Sequence, residues 1–161
     1  AKQKYIQAWG SLGSSWGINR TMAQIHALLL ISKDPMSTDQ IMDELQISRG
    51  NANMNIRMLI DWGLVNKILI PGDRKEYFIT DKDIMNLGVQ VARERKKREL
   101  EPIIRMLNEV KDIEGSGKDV EVFKTVTGDL LSFAKQSETF LNTFINSNKN
   151  WFFKIISKIK I

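Results

Sequence analysis

Two serines placed one short helix apart constrain this chain more than any other feature. Ser37 stands three residues before Gln40, a capping box in which the hydroxyl accepts from an early helix N–H and the glutamine amide reaches back. The short helix it opens carries Ile41, Met42 and Leu45. Ser48 caps a second helix, whose Ala52, Ile56, Leu59 and Gly63 recur at three- and four-residue steps, with Gly63 placed to stop it. Two short helices a few residues apart predict a helix-turn-helix. Leu64 to Ile70 follows as an apolar run, Pro71-Gly72-Asp73 turns the chain, and Lys75 to Ile79 returns with an aromatic pair, which predicts a hairpin. Helix-turn-helix and hairpin in this order describe a winged helix. The expected class is mainly α with a small β-hairpin, the winged helix-turn-helix being joined to a helical dimerisation extension.

The flanks are helical as well. From Lys4 to Trp16, Ile6, Trp9, Leu12 and Trp16 recur at helical spacing up to Gly17, and a second helix from about Asn19 buries Met22, Ile25, Leu28 and Leu29. Gly10 and Gly13 inside the first helix predict a close helix–helix approach, because each costs about 1 kcal/mol against alanine. After the hairpin, Thr80 and Asp83 read as another capping box, with Ile84, Leu87 and Val91 on one face. Leu100, Ile103, Leu107 and Val110 repeat close to the interval of a helix–helix seam, and Pro102 should kink or split that segment. Beyond the turn-rich Glu114–Lys118, Phe123, Val126, Leu130, Phe133, Phe140 and Phe144 predict a long amphipathic helix. The acid-free segment Trp151–Ile161 closes the chain, suited to packing on a partner subunit or lying on a membrane surface. We divide the chain into an N-terminal dimerisation helix (1–18), a winged helix-turn-helix (19–80), and a helical dimerisation and effector region (81–161).

Composition closes several routes. Zero cysteines exclude disulfides, thiolate zinc sites and cysteine nucleophiles, which fits a reducing cytoplasm but fits other compartments as well. The longest fully apolar run, Ala27–Ile31, is too short to span a bilayer, so stable membrane insertion is not expected. With 24 Lys and Arg against 19 Asp and Glu, the net charge of +5 permits a polyanionic partner, and the position of the cations must decide.

The helix after Ser48 presents Gly50, Asn51, Asn53, Met54 and Arg57 opposite its apolar stripe, with Arg49 in its first turn. Asparagine can pair with adenine, arginine with guanine, and methionine can meet a thymine methyl, so the face suits a major groove. The helix N-termini at Ser37 and Ser48 suit phosphates. Arg74 and Lys75, just past the hairpin turn, would reach the flanking backbone or minor groove of double-stranded DNA. A plain solvated helix face and a solubilising hairpin tip are the competing readings. The cluster Arg93–Arg98 could read as a nucleic-acid patch, but it sits well past the wing, where a charged run more often makes a solvated helix face.

The segments Ser48–Arg57, Leu59–Val65, Pro71–Phe78 and Ala92–Pro102, with Trp16-Gly17-Ile18-Asn19-Arg20-Thr21, resemble the GbsR-like branch of the MarR-type winged-helix regulators. The resemblance covers about Tyr5 to Leu107. It implies a homodimeric, cytoplasmic transcriptional regulator that binds a DNA operator. It also suggests a small effector such as a choline-like cation, since some proteins of that branch are similar to osmoprotectant sensors. Tyr5, Trp9 and Trp16 could line an aromatic site for a quaternary ammonium, or could simply pack in an interface. The lone His26 lacks metal-ligand neighbours, and no metal or cofactor is expected. No phosphate loop, nucleophile elbow or paired nucleophile and base is present, so an enzyme is not expected. The alternative class is a winged helix used as a protein-interaction or assembly module.

Overall fold

The computed structural model describes residues 1–147, so the terminal segment Trp151–Ile161 lies outside the described residues. The described residues divide into two compact units, residues 1–87 and the residues from Gly88 onward. In the first, α1 (Lys2–Ser15) and α2 (Arg20–Ile31) lead into β1 (Met36–Ser37), α3 (Thr38–Leu45) and α4 (Arg49–Asp61). The hairpin β2 (Asn66–Leu69) and β3 (Glu76–Ile79) completes the winged helix.

The ends of the helices are set by local chemistry. Ser37 and Gln40 form the full capping box of α3, and Ser48 Oγ accepts from the Asn51 N–H at the start of α4. At the other end of α4, Gly63 takes φ 67°, and the N–H groups of Gly63 and Leu64 donate back to the carbonyls of Ile60 and Leu59. This Schellman closure turns Leu64 and Val65 into the core, so β2 starts only at Asn66 rather than at Leu64. Gly17 closes α1 by the same bonds, from Gly17 to Ser14 and from Ile18 to Gly13.

The core is laid down by α2, which buries Met22, Ile25, Leu28 and Leu29 against α1 and α4. The glycines of α1 are used here. A methyl on Gly10 would lie 2.6 Å from Gln24 Cγ and one on Gly13 2.6 Å from Ala23 Cβ, so the close approach they predict is to α2 of the same chain. The sheet has the order β1-β3-β2, all antiparallel, with Met36 opposite Phe78 and Lys67 also opposite Phe78. Strand β1 is absent from the sequence reading because two residues are too short to show a period.

Thr80 does not cap the next helix. Its hydroxyl donates to the Leu64 carbonyl (2.7 Å) and accepts from His26 Nε2 (3.2 Å), a buried node joining α2, the end of the wing and the segment after α4. Asp83 caps α5 (Ile84–Arg95) instead, accepting from the N–H groups of Met85 and Asn86. Burial lowers the His26 pKa to about 4, so the ring is neutral at pH 7; because the single Thr80 hydroxyl proton goes to the Leu64 carbonyl, the ring proton is assigned to Nε2.

In the second unit, α5 runs into a π-helical turn, Lys96–Leu100, and then α6 (Glu101–Val110). Pro102 accounts for the turn. Its ring would clash with the carbonyl four residues back, and widening the helix so that the Glu101 N–H reaches the Lys96 carbonyl relieves that clash without breaking the helix. The cationic run is tied up by local ion pairs, Arg98 with Glu94 (3.0 Å), Arg95 with Glu99 (3.0 Å), and Lys96 with Glu101 and Glu138 (3.4 and 3.5 Å). Helix α7 (Lys118–Asn146) packs on α6 with Thr127, Leu131 and Ala134 buried. The apolar row Phe123, Val126, Leu130, Phe133 and Phe140 faces outward, Phe133 being 70% and Phe140 71% exposed.

Candidate nucleic-acid interface

Helix α4 keeps one side in the core and the other free. Ala52, Asn55, Ile56 and Leu59 are buried, whereas Gly50, Asn53, Met54 and Arg57 are exposed and Asn51 lies half-buried at the edge of that face. From Arg49 to Arg57 the helix contains no acid. The predicted stripe is therefore right in Ala52, Ile56 and Leu59, but Gly63 is exposed and Asn55 takes a place expected for an apolar residue.

The side chains of Arg57 and Arg74 have no intrachain partner among the described residues, and both are exposed. The other two cations are engaged. Asp39, in the first turn of α3, binds Arg49 (2.5 Å) and Lys75 (3.7 Å), so a single carboxylate links the start of α4 to the wing. The hydrogen bond from Arg49 and its charge, with a smaller contribution from Lys75, hold the Asp39 carboxyl below its ordinary range.

The wing tip has its own scaffold. Gly72 adopts φ 85°, and Asp73 accepts from the Lys75 N–H (2.9 Å) and the Tyr77 hydroxyl (2.7 Å), fixing the turn that aims Arg74 outward. These two bonds also keep Asp73 ionised below the usual carboxylate range, and the bond to Asp73, with burial and the Asp73 charge, pushes the Tyr77 hydroxyl up. A cross-strand pair, Lys67 with Glu76 at 2.9 Å, sits on the exposed face of the hairpin.

The structure thus brings Arg49, Gly50, Asn53, Met54, Arg57, Arg74 and Lys75 onto exposed positions of two adjoining motifs, with Ser48 exposed at the helix start. Ser37 is different: it is 4% exposed, its hydroxyl accepts from Gln40 N, and its backbone belongs to β1. Asp39 and Asn55 are the residues that sequence reasoning missed. A polar residue set on an apolar stripe, four residues after another asparagine, is the signal that could have found the second.

The aromatic residues of α1 separate into two places. Tyr5 and Trp9 form a tilted pair with ring centroids 5.7 Å apart, while Trp16 caps the helix C-terminus about 10 Å further along and is 61% exposed.

Residues 16–76 match the MarR family. The chain is 24% identical over 94 residues to the HTH-type transcriptional repressor GbsR of Bacillus subtilis, covering 58% of this chain and 52% of that protein. It is 29% identical over 77 residues to the HTH-type transcriptional regulator MmpR5 of Mycobacterium tuberculosis, covering 47% and 46%. The chain spans about half the length of these curated relatives, both named as transcriptional regulators and neither as an enzyme. A crystal structure of a transcriptional regulator superposes with a TM-score of 0.70 at 16% identity, over 89% of this chain and 95% of that one, a likeness of fold. Residues 16–76, which carry the helix-turn-helix and most of the wing, thus match the MarR family model, and the fold they adopt is a winged helix.

Proposed function

We propose that this chain is a sequence-specific, DNA-binding transcriptional regulator that reads the major groove with α4 and grips the flanking backbone or minor groove with the wing. The observation that carries the reading is the exposed, acid-free face of α4, with Arg57 unpaired beside Asn53 and Met54. An arginine held for stability would find a carboxylate; one kept free on a polar helix face can donate two parallel bonds to a guanine edge. The MarR-family match over the same residues supports it. Selection from a random duplex library tests it: the wild type should enrich a motif, and Arg57→Ala should bind that motif more weakly by about 1 to 3 kcal/mol. Equal affinity of both proteins for every duplex would reject the placement of α4 in the groove.

The functional unit is a homodimer in this reading. Phe123, Val126, Leu130, Phe133 and Phe140 keep the three- and four-residue rhythm of a helix–helix seam, yet stay exposed, as do Ile103 and Met106 on α6. A second copy covers such a row by symmetry and presents two reading helices to a palindromic operator. The effector is a cation of the choline type held at the Tyr5–Trp9 pair, whose ring faces attract a quaternary ammonium. Calorimetry with choline, on the wild type and Trp9→Ala, checks this: heat that vanishes in the variant supports the site, and no heat at millimolar ligand removes it.

A further inference from the structure

Asn55 is the one fully buried polar residue of α4, and its surroundings determine which way it points. Its amide lies 2.9 Å from the backbone carbonyl oxygen of Asn51 and 2.7 Å from the Asn51 side-chain oxygen. A backbone carbonyl only accepts, so the group facing it must be the Asn55 Nδ2 amine. That amine has two protons, one for the carbonyl and one for the Asn51 side chain, which must therefore turn its Oδ1 inward. Asn51 is left with its own Nδ2 amine facing out, at the edge of the exposed face. The arrangement has a cost: Asn55 Oδ1 is buried and accepts no hydrogen bond from any protein group among the described residues. A leucine of similar volume would fill the position without that cost, so packing alone does not explain an asparagine there.

We infer that Asn55 is a positioning residue for base readout, locking the Asn51 amide so that it meets DNA as a hydrogen-bond donor. Asn51 then favours a base edge that offers an acceptor, such as purine N7, guanine O6 or thymine O4, over the amino groups of adenine and cytosine. Free to rotate, the same amide would present either end and discriminate less. Asn53, exposed and without such a lock, lacks this restriction. The inference rests on the DNA-binding reading above, while the lock itself belongs to the free protein.

Two arms test it. In the free protein, side-chain amide NMR should show the Asn55 protons exchanging with solvent far more slowly than those of Asn53, and the Asn51 pair should shift in Asn55→Leu. Equal exchange of the Asn55 and Asn53 protons would overturn the lock whatever the DNA result. In the second arm, duplexes are selected with the wild type, Asn51→Ala and Asn55→Leu. Asn51→Ala should lose preference at one base pair by about 5- to 150-fold, and Asn55→Leu should lose preference at that same base pair. Affinity of Asn55→Leu for random duplex should stay within about twofold, since no phosphate-binding group is touched. Asn55→Ala gives the same readout should leucine overfill the site. A selection profile unchanged in both Asn55 variants overturns the proposal while leaving the DNA-binding reading intact. Failure of the wild type to select any sequence defeats that reading instead, and the exchange arm still decides the lock.

Discussion

His26 offers a direct test of how the wing is anchored, because it is the lone histidine and titrates in a window of its own. The ring is 7% exposed, and burial lowers its pKa from 6.5 to about 4. The unfolded chain therefore binds a proton near pH 6.5 that the fold excludes until about pH 4. Stability is complete well above 6.5, falls as pH drops through the interval, and levels off below the folded value. With each pKa unit equivalent to about 1.4 kcal/mol, integration between pH 7 and 5 gives a loss of about 2 kcal/mol, approaching 3 below pH 4. Urea unfolding followed by circular dichroism at pH 7, 6 and 5 measures it. The control is His26→Gln, which keeps an amide donor for Thr80 but cannot titrate. The difference in stability between wild type and control should shift by about 2 kcal/mol against the wild type from pH 7 to 5. Parallel curves for the two proteins would show that the ring is not buried neutral and would refute the node.

Gly13→Ala should destabilise by about 1 to 3 kcal/mol, because its methyl would lie 2.6 Å from Ala23 Cβ, whereas Gly88→Ala, which meets nothing within 4 Å, should gain roughly 0.5 to 1 kcal/mol; thermal melts of both compare the two outcomes. Arg74→Ala with Lys75→Ala should weaken binding to all duplexes and flatten the salt dependence, by up to about 0.9 in slope for each phosphate no longer neutralised, as read from titrations at several salt concentrations. A change confined to one sequence, with the slope intact, would instead make the wing a base reader. Phe133→Arg, placing a charge in the exposed row of α7, should shift sedimentation from dimer to monomer without changing the helical signal of the folded chain.

What could be read in advance was written in residues that act on their near neighbours. A serine cap needs only the N–H three residues on, a glycine closure only the carbonyls of the preceding turn, and Pro71-Gly72-Asp73 only its own backbone. Ser37, Ser48, Gly17 and Gly63 therefore mark the helix ends correctly from sequence, and the helix-turn-helix with its wing follows from their order. The exposed cations Arg57 and Arg74 were legible for the same reason, since each lies opposite an apolar stripe or beside a tight turn. Elsewhere, packing between segments decided. Thr80 has the hydroxyl of a helix cap, but His26 and the Leu64 carbonyl, both far away in sequence, take it. The glycines of α1 announce a close approach, and only the fold identifies α2 as the helix approached. The apolar row of α7 is periodic in the sequence, yet periodicity cannot tell which of two faces a neighbour covers, and here α6 takes the side with Thr127, Leu131 and Ala134. Asn55 shows the limit most sharply: its letter reads as polar surface, and its role appears only when the helix is laid against the core and its amine has nowhere to turn but toward Asn51.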